Sequence, residues 1–562
     1  FVGLSVAAAF TLFLLEGSLS FVTQEKLFGD ILVGKLPVWV MEAFIPFGFA
    51  LVAVRIWLNT SQKWSWRMAA LVPIVILFWL WRTAPGGAEN LLLPGLLVLL
   101  IGTIMGAPVF VTLGGATALL FWSSNGGAWM GEGEEAISNI ASLALDHYSL
   151  NTNPTLPTVP LFTLAGYFLA EGGASKRLVR LFQSLIGWLR GGSAIMTCLV
   201  CAFFTTFTGA SGVTILALGG LLLPVLISAK FSDRHALGFV TSAGALGTLF
   251  PPCLTLILYS IRAENVTIQE IFLGGLIPGL ILVGLMAGLG VWLAKKDDSE
   301  KQPFDLKEAL AAAWETKWEL LLPVVALVGL FGGFATPVET AAMTAFYAFA
   351  IETFVYRDLK LIRDVPRVMT ECGLVIGGVL MILGVALGFT NYLVDVQVAD
   401  KALEWAQNNL NNKYVFLLVL NLFLIAVGCI MDVYSAIIIV VPLLVPMGEA
   451  FGIHPVHLGI IFLANLELGY LTPPVGMNLF LASYRFNKPL TEVYRAIIPM
   501  LAVRILGVAL ITYIPFLSTG LPSWLMPQVE VDVGEGGLEG LDLLEGLEEL
   551  DPLPEAPERL GI

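Results

Sequence analysis

The sequence predicts an all-α polytopic membrane protein built from two inverted repeats with re-entrant hairpins and discontinuous helices. Three observations carry that expectation. Hydrophobic residues make up 57% of the 562, charged residues 13%, and mean hydropathy is +0.85, a balance suited to lipid rather than water. Apolar runs of about 20 residues, enough to cross a bilayer, recur at 37–58, 66–82, 91–122, 192–226, 237–261, 271–294, 320–352, 372–394, 414–447, 457–483 and 496–517. From Leu91 onward the chain also repeats itself at a fixed offset.

The elements follow in order. The chain opens at Phe1 inside an apolar run, which reads as a start downstream of the true N-terminus. Residues 1–60 hold two helices, about 1–22 and 37–58. A connector, 61–90, carries Arg55, Lys63 and Arg67 nearby and tryptophans at 64, 66, 79 and 81, the flanking pattern of a membrane interface. Its run at 66–82 either crosses the bilayer or lies in the interface.

Residues 91–294 and 320–517 are the two repeats. At an offset of 222, Gly166 falls on Gly388, Pro224 on Pro446, His235 on His457, and LGTLFPP (246–252) on LGYLTPP (468–474). At an offset of 229, GAPV (106–109) meets ATPV (335–338), and the polar loop between Ser123 and Thr158 absorbs the difference. A charged linker that turns into an amphipathic helix, 295–319, separates the halves. If each half crosses the bilayer an odd number of times, the second is inverted and the two Pro-Pro motifs meet near mid-membrane. The tail, 518–562, has eleven acids from Glu530 onward against Arg559 and reads as disordered.

Proline pairs in apolar helices remove backbone donors and free carbonyls that hydrocarbon cannot satisfy, so such breaks survive where they line a polar cavity. GTLFPP (247–252) and GYLTPP (469–474) therefore read as discontinuous helices whose unwound carbonyls, with Thr248 and Thr472, can ligate a small hard cation. About 40 residues before each break lies another interruption: TTFTGASGVT (205–214) and GCIMDVYSA (428–436). Both read as tips of re-entrant hairpins, with glycines permitting the turn and half-helix N-termini facing an anion. Asp432 stands at membrane depth, at a cost of roughly 2.5–3.5 kcal/mol unless it has a partner. Glu467, two residues before the second break, reads as a cavity acid, Glu339 as a structural acid, and Glu171 as interfacial beside Lys176.

Other chemistries find little support. The five cysteines lie in apolar runs, and the Cys198–Cys201 spacing has no second pair. His454 and His457 are too few ligands for a metal site. No GxxxxGK[ST], HExxH or GxSxG motif occurs, so energy for transport comes from an ion gradient or another chain. No motif suggests nucleic-acid binding.

The segments FTLAGYFLAEGGASKRLV, GASGVTILALGGLLLP, LGTLFPPCLTLILYS, ATPVETAAMTA, GCIMDVYSAIIIVVPLLVP and NLELGYLTPPVGMNLFLAS resemble the large membrane subunit of tripartite ATP-independent periplasmic (TRAP) transporters, over about 91–517. KLPVWVMEAFIPFGFALVAVRIWL is similar to the last helix of that family's small subunit, so the whole resembles a small-plus-large fusion. The resemblance implies a multi-pass bacterial inner-membrane importer, not an enzyme, that moves by an elevator mechanism. It implies sodium as coupling ion, a periplasmic substrate-binding protein as partner, and a carboxylate cargo such as a C4-dicarboxylate, a 2-oxo acid or sialic acid. Carried over by residue, the sodium sites fall on Gly209, Ser211, Gly212, Thr214, Gly247, Thr248 and Pro251, and on Asp432, Ser435, Gly469, Thr472 and Pro473. Ser211, Pro252, Asp432, Glu467, Pro474 and Asn478 would face the substrate. Where family members often have serine after the first Pro-Pro, this chain has Cys253.

A tenfold sodium gradient is worth about 1.4 kcal/mol per ion and a net charge about 2.3 kcal/mol at 100 mV, so two sodium ions with a monoanion supply roughly 5 kcal/mol. One sodium with the same anion moves no net charge and supplies about 1.4 kcal/mol, so two sites suit two ions. Two rivals remain: a sodium–dicarboxylate symporter that needs no binding protein, and an intramembrane enzyme using Asp432 and Glu467 as a carboxylate pair.

Overall fold

The computed structural model describes residues 2–526 except 29–30, 34–35, 84–87, 105–107, 125–152, 264, 295–303, 411 and 474–475. Among the described residues, nine helices are long and apolar enough to cross a membrane. A short antiparallel ribbon, Ile31–Val33 with Leu36–Pro37, is an addition that the apolar periodicity did not announce.

The N-terminal part comprises α1 (Val2–Phe28), α2 (Val38–Glu42), α3 (Phe44–Asn59) and α4 (Trp64–Thr83). Helix α1 packs on α3 and α4 and also on α5 (Ala88–Ile104) and α6 (Val109–Ser124). Phe10, Phe13 and Leu14 share one core with Phe49, Leu99, Phe110 and Leu383. Within it Phe10 and Phe110 lie 6.5 Å apart between ring centroids.

The first repeat continues through α7 (Thr158–Glu171), α8 (Ala174–Ile186), α9 (Gly192–Thr208), α10 (Ser211–Ser228), α11 (Asp233–Ala243), α12 (Leu254–Ala263) and α13 (Ile268–Leu293). The second comprises α14 (Leu306–Phe331), α15 (Pro337–Ala350, continued by a π-helical turn over Ile351–Val355), α16 (Asp364–Asp395), α17 (Val398–Asn409), α18 (Lys413–Ile430), α19 (Val433–Ala450), α20 (Pro455–Gly469), α21 (Met477–Phe486) and α22 (Leu490–Tyr513). Moved along by the 222-residue offset, Ser211–Ser228 falls on Val433–Ala450 and Ile268 on Leu490. The helix of the linker does not stop at Glu319: α14 runs unbroken from Leu306 into the second repeat.

Contacts between the halves come in exchanged pairs. Helix α10 packs on α21 and its counterpart α19 on α12; α11 packs on α22 and its counterpart α20 on α13; α7 packs on α15, and α16 on α6. Reciprocal contacts of this kind are the signature of a two-fold relation. The direction of the chain shows that the relation inverts. A Cβ on Gly290 would touch Phe239 and one on Gly275 would touch Leu249, so α13 runs back along α11, the break and α12, which together cross once. Helix α10 returns to the side where α11 begins, so α10 and α12 point opposite ways. Beside α10, Ser211 meets Asn478, Gly212 meets Leu481 and Gly219 meets Phe486; α21 is therefore parallel to α10 and antiparallel to its own counterpart, α12.

Two corrections concern sequence expectations. The tail does not begin at 518: residues 518–525 belong to α23 (Phe516–Leu525), which packs on α13 and α20. Buried His457 holds it through the Ser518 hydroxyl (2.6 Å). The acidic stretch from Glu530 lies outside the described residues. Glu171 pairs with Arg367 at 2.7 Å rather than with Lys176. Glu339 closes a capping box with Thr336 at the start of α15.

A buried ionic cluster ties the repeats together away from the breaks. Arg177 on α8 donates to Glu319 on α14, to Glu352 in the π-helical turn (3.1 Å) and to Asp358 (2.6 Å), and its guanidinium lies 3.7 Å from the Tyr356 ring centroid. The Glu319 and Glu352 side chains are 0% exposed, so they depend on this one cation. Arg177→Met should lower unfolding stability by about 3–5 kcal/mol, the usual result of stranding buried carboxylates. Arg180→Ala, which breaks only exposed pairs with Glu308 and Glu315, should leave the thermal midpoint in detergent unchanged.

Candidate functional site

Helix α9 ends at Thr208 because Gly209 takes a left-handed conformation, φ 67°, as its C-cap. No side chain fits there, since a Cβ would lie 2.6 Å from Leu254 Cβ. Ala210 is extended and α10 starts at Ser211. The turn leaves a buried cluster of hydroxyls. Thr205 donates to Gly244 O (2.7 Å) and its oxygen lies 2.8 Å from the Thr214 hydroxyl, Thr206 donates to Ala202 O (2.7 Å) with Gly247 O 3.2 Å away, and Thr208 lies 3.4 Å from Thr214.

These partners explain how the first break survives in lipid. Residues 244–253 are not helical, and the Pro251–Pro252 peptide is cis. The carbonyls of Gly244 and Thr248 accept from Thr205 and Thr255, and that of Gly247 from Phe250 N, while Ala245 O and the last-turn carbonyl Ser242 O accept from Arg504. Gly247 is needed for the approach, because a Cβ would lie 2.2 Å from Ala202 O. Half-helices α11 and α12, of 11 and 10 residues, are each about half a hydrocarbon core long.

The second tip differs in chemistry. Helix α18 ends at Ile430, and Asp432 caps α19, accepting from Tyr434 N (3.1 Å), Ser435 N (3.0 Å) and the Ser435 hydroxyl (2.5 Å). A carboxylate at a helix N-terminus is favoured by the dipole and the free N–H groups. The equivalent residue in the first repeat is Ala210. Gly428 packs on Gly469, where a Cβ would sit 2.7 Å from the Gly428 backbone. At this break the donors are weaker, Cys429 Sγ reaching Gly469 O at 3.6 Å and Thr472 O at 3.4 Å.

The two tips meet. Tyr434 donates to Gly209 O (3.2 Å), and Ser211 donates to Asn478 Oδ1 (3.0 Å) at the head of α21. The tip-to-tip contact of oppositely directed hairpins is the arrangement expected of re-entrant segments. Of the residues proposed from sequence, Gly209, Ser211, Gly212, Thr214, Gly247, Thr248, Pro251, Pro252, Asp432, Ser435, Gly469 and Asn478 lie in the tips, the breaks and the start of α21. Glu467 lies in the last turn of α20, 2% exposed, with Oε2 unpartnered. Thr472 is half-buried, Pro473 is exposed, and Pro474 lies outside the described residues. Sequence reasoning did not single out Tyr434 or Arg504. A lone arginine in the apolar run 496–517 was the available signal for the latter.

With that geometry in place, comparison with known proteins is direct. Residues 96–517 match the family model described as "Tripartite ATP-independent periplasmic transporter, DctM component". The chain belongs to the TRAP transporter large-permease family. The C4-dicarboxylate TRAP transporter large permease protein DctM of Vibrio cholerae is 34% identical over 77% of this chain and 97% of its own length. The isethionate TRAP transporter permease protein DctMQ of Oleidesulfovibrio alaskensis is 30% identical over 86% of this chain and 74% of its own. A sialic acid TRAP transporter large permease, SiaM of Vibrio cholerae, is 29% identical over 66% of this chain and 86% of its own. The Alcanivorax borkumensis YdaH transporter structure aligns with a TM-score of 0.49 at 15% identity, over 70% of this chain and 90% of that one. The TRAP permease described here is a multi-pass inner-membrane transporter and, like the relatives so named, not an enzyme.

Thr205→Val in this permease is nearly isosteric but leaves Gly244 O without its donor. It should lower unfolding stability by about 1–3 kcal/mol, the cost of a buried unsatisfied carbonyl, read as a lower thermal midpoint in detergent. Thr112→Val, away from the breaks on α6, serves as the comparison for hydroxyl removal as such.

Proposed function

We propose that this permease imports a small organic anion by sodium symport, receiving it from a soluble periplasmic substrate-binding protein. The observation that carries this reading is the meeting of two oppositely directed hairpin tips at two helix breaks. It gathers oxygen donors, a helix-capping carboxylate and free helix N-termini away from lipid. Oxygen-only donor sets suit a hard cation. In this reading one ion sits among Gly209, Ser211, Gly212, Thr214, Gly247, Thr248 and Pro251, and a second among Asp432, Ser435, Gly469, Thr472 and Pro473. The cargo lies between them, against Ser211, Pro252, Asp432, Glu467, Pro474 and Asn478. The N-termini of α10 and α21, which no side chain caps, supply the positive ends that an anion seeks.

The anionic cargoes in the relatives' names support a carboxylate or a closely related acid: a C4-dicarboxylate, a 2-oxo acid or sialic acid. Residues 1–60 act in this reading as a small-subunit-like scaffold fused to the permease, supported by the likeness to a DctMQ chain and by the core that α1 and α3 share with α6 and α16. Transport is then an elevator movement of the tips and breaks against that scaffold.

Proteoliposome uptake tests the reading: an inward sodium gradient should drive accumulation of a radiolabelled organic acid only after the cognate binding protein is added. Full uptake without it would establish the binding-protein-independent symporter instead, and uptake indifferent to sodium would end the coupling claim. Asp432→Asn keeps a good cap while deleting the charge, so the half-saturating sodium concentration should rise about tenfold. Ser211→Ala should raise it by less, with both proteins folded by size-exclusion chromatography.

A further inference from the structure

Arg504 on α22 is 1% exposed, among the largest fully buried side chains. It reaches from the second repeat into the first, donating from Nη1 to Ser242 O at 2.9 Å and from Nη2 to Ala245 O at 3.4 Å. Ser242 belongs to the last turn of half-helix α11. That end carries the negative pole of the half-helix, and Ser242 O accepts from Arg504 in addition to the Ala245 N–H (3.3 Å). The next carbonyl, Gly244 O, is held by Thr205, whose hydroxyl also meets Thr214 of the first tip. The guanidinium is thus one residue removed from the hydroxyl cluster of the first tip.

The equivalent position in the first repeat is Leu282, so the end of half-helix α20 gains no such charge from α13. The thiol of Cys429 and the Thr472 hydroxyl serve its carbonyls. Glu467, on α20 where the first repeat has Ala245, acts electrostatically on Arg504 without forming a close pair: Arg504 Nε and Glu467 Oε2 are both buried and unpartnered. The second repeat therefore treats the breaks unequally: a guanidinium bonded to the carbonyls of the first, with Glu467 buried nearby, and a carboxylate cap at the tip beside the second.

We propose that Arg504 is a positioning residue that acts as a tethered cation at the first break, weakening ion binding at the first tip and making the two coupling-ion sites unequal in affinity. The inference rests on the sodium-coupled reading above and adds a ranking of the sites. The second site, with Asp432, fills first; the first fills last and sets the upper part of the sodium dependence. A charge of like sign bonded to the carbonyl next to Gly244 O opposes a free ion through a low-dielectric interior, whereas the two carbonyl hydrogen bonds alone would not.

The test separates charge from packing. Purified full-length protein in detergent is titrated with sodium chloride against choline chloride at constant ionic strength, with thermal stabilisation as the readout. Arg504→Gln keeps a donor and removes the charge; the sodium concentration for half-maximal stabilisation should fall about three- to tenfold. Arg504→Lys keeps the charge and should stay within about twofold of the unmodified protein. A residue that merely holds the fold predicts the opposite, a weaker or absent sodium response in Arg504→Gln. An unchanged or weakened response there overturns the proposal. Should that variant not fold, a shift of more than about threefold in Arg504→Lys overturns it, and an unshifted titration upholds the charge as what matters. No sodium response in the unmodified protein would take the sodium reading down with it, whereas a response that Arg504→Gln fails to sharpen removes only the ranking.

Discussion

Hydrocarbon offers no hydrogen bonds, so every backbone N–H and C=O at membrane depth must find its partner inside the protein. Two helices of this permease break there regardless, at 244–253 and from Tyr470 onward, and much of the surrounding structure answers the need that these breaks create. Thr205 from α9, the arginine from α22 and Thr255 hold the carbonyls at the first; a thiol and one threonine serve the second. Glycines at 209, 247, 428 and 469 are present because the backbones must approach to within the radius of a side chain. The hydroxyls, carbonyls and capping carboxylate gathered around the tips and breaks are the outcome of that arrangement.

Inversion of the repeats then places chemically different tips face to face. A two-fold relation of backbones brings Gly209 under Tyr434 and Ser211 onto Asn478, but the side chains do not obey it. One repeat supplies hydroxyls, the other a carboxylate cap; one break is served by an arginine and the other is not. The backbone frame is thus close to symmetric while the chemistry it carries is not. The Arg177 cluster joins α8 to α14 and the π-helical turn at a distance in sequence from both breaks, so the halves are also fastened where no cargo is expected.

The repeat and its punctuation were legible because each has a local cause. Proline pairs cannot continue a helix, glycines between hydroxyls mark a turn, and a 222-residue offset survives as long as neither copy gains or loses residues. The helices α10 and α19 accordingly begin where TTFTGASGVT and GCIMDVYSA predict. Asp432 was visible as a carboxylate in an apolar run, though its immediate partners, the N–H groups of Tyr434 and Ser435, follow from the cap geometry and not from composition. Glu171 was assigned to the nearest base in sequence, Lys176, whereas α16 brings Arg367 closer in space. Residues 518–525 looked like the start of a solvated tail because a ten-residue helix with two flanking prolines has a weak signal; its burial depends on His457, which is 61 residues away in sequence.

Composition and periodicity by themselves determined that the chain lives in a bilayer, that it is helical, that it is a duplicated unit, and where each copy is broken. These are statements about how neighbouring residues share one backbone, and the backbone's demands in lipid are nearly independent of context. Only the tertiary structure decided which donor reaches which freed carbonyl, that the tips touch, and that Arg504 serves the opposite repeat. Those outcomes depend on how helices some 260 residues apart pack, and nothing in the local sequence around Ser242 or Ala245 specifies a guanidinium arriving from α22.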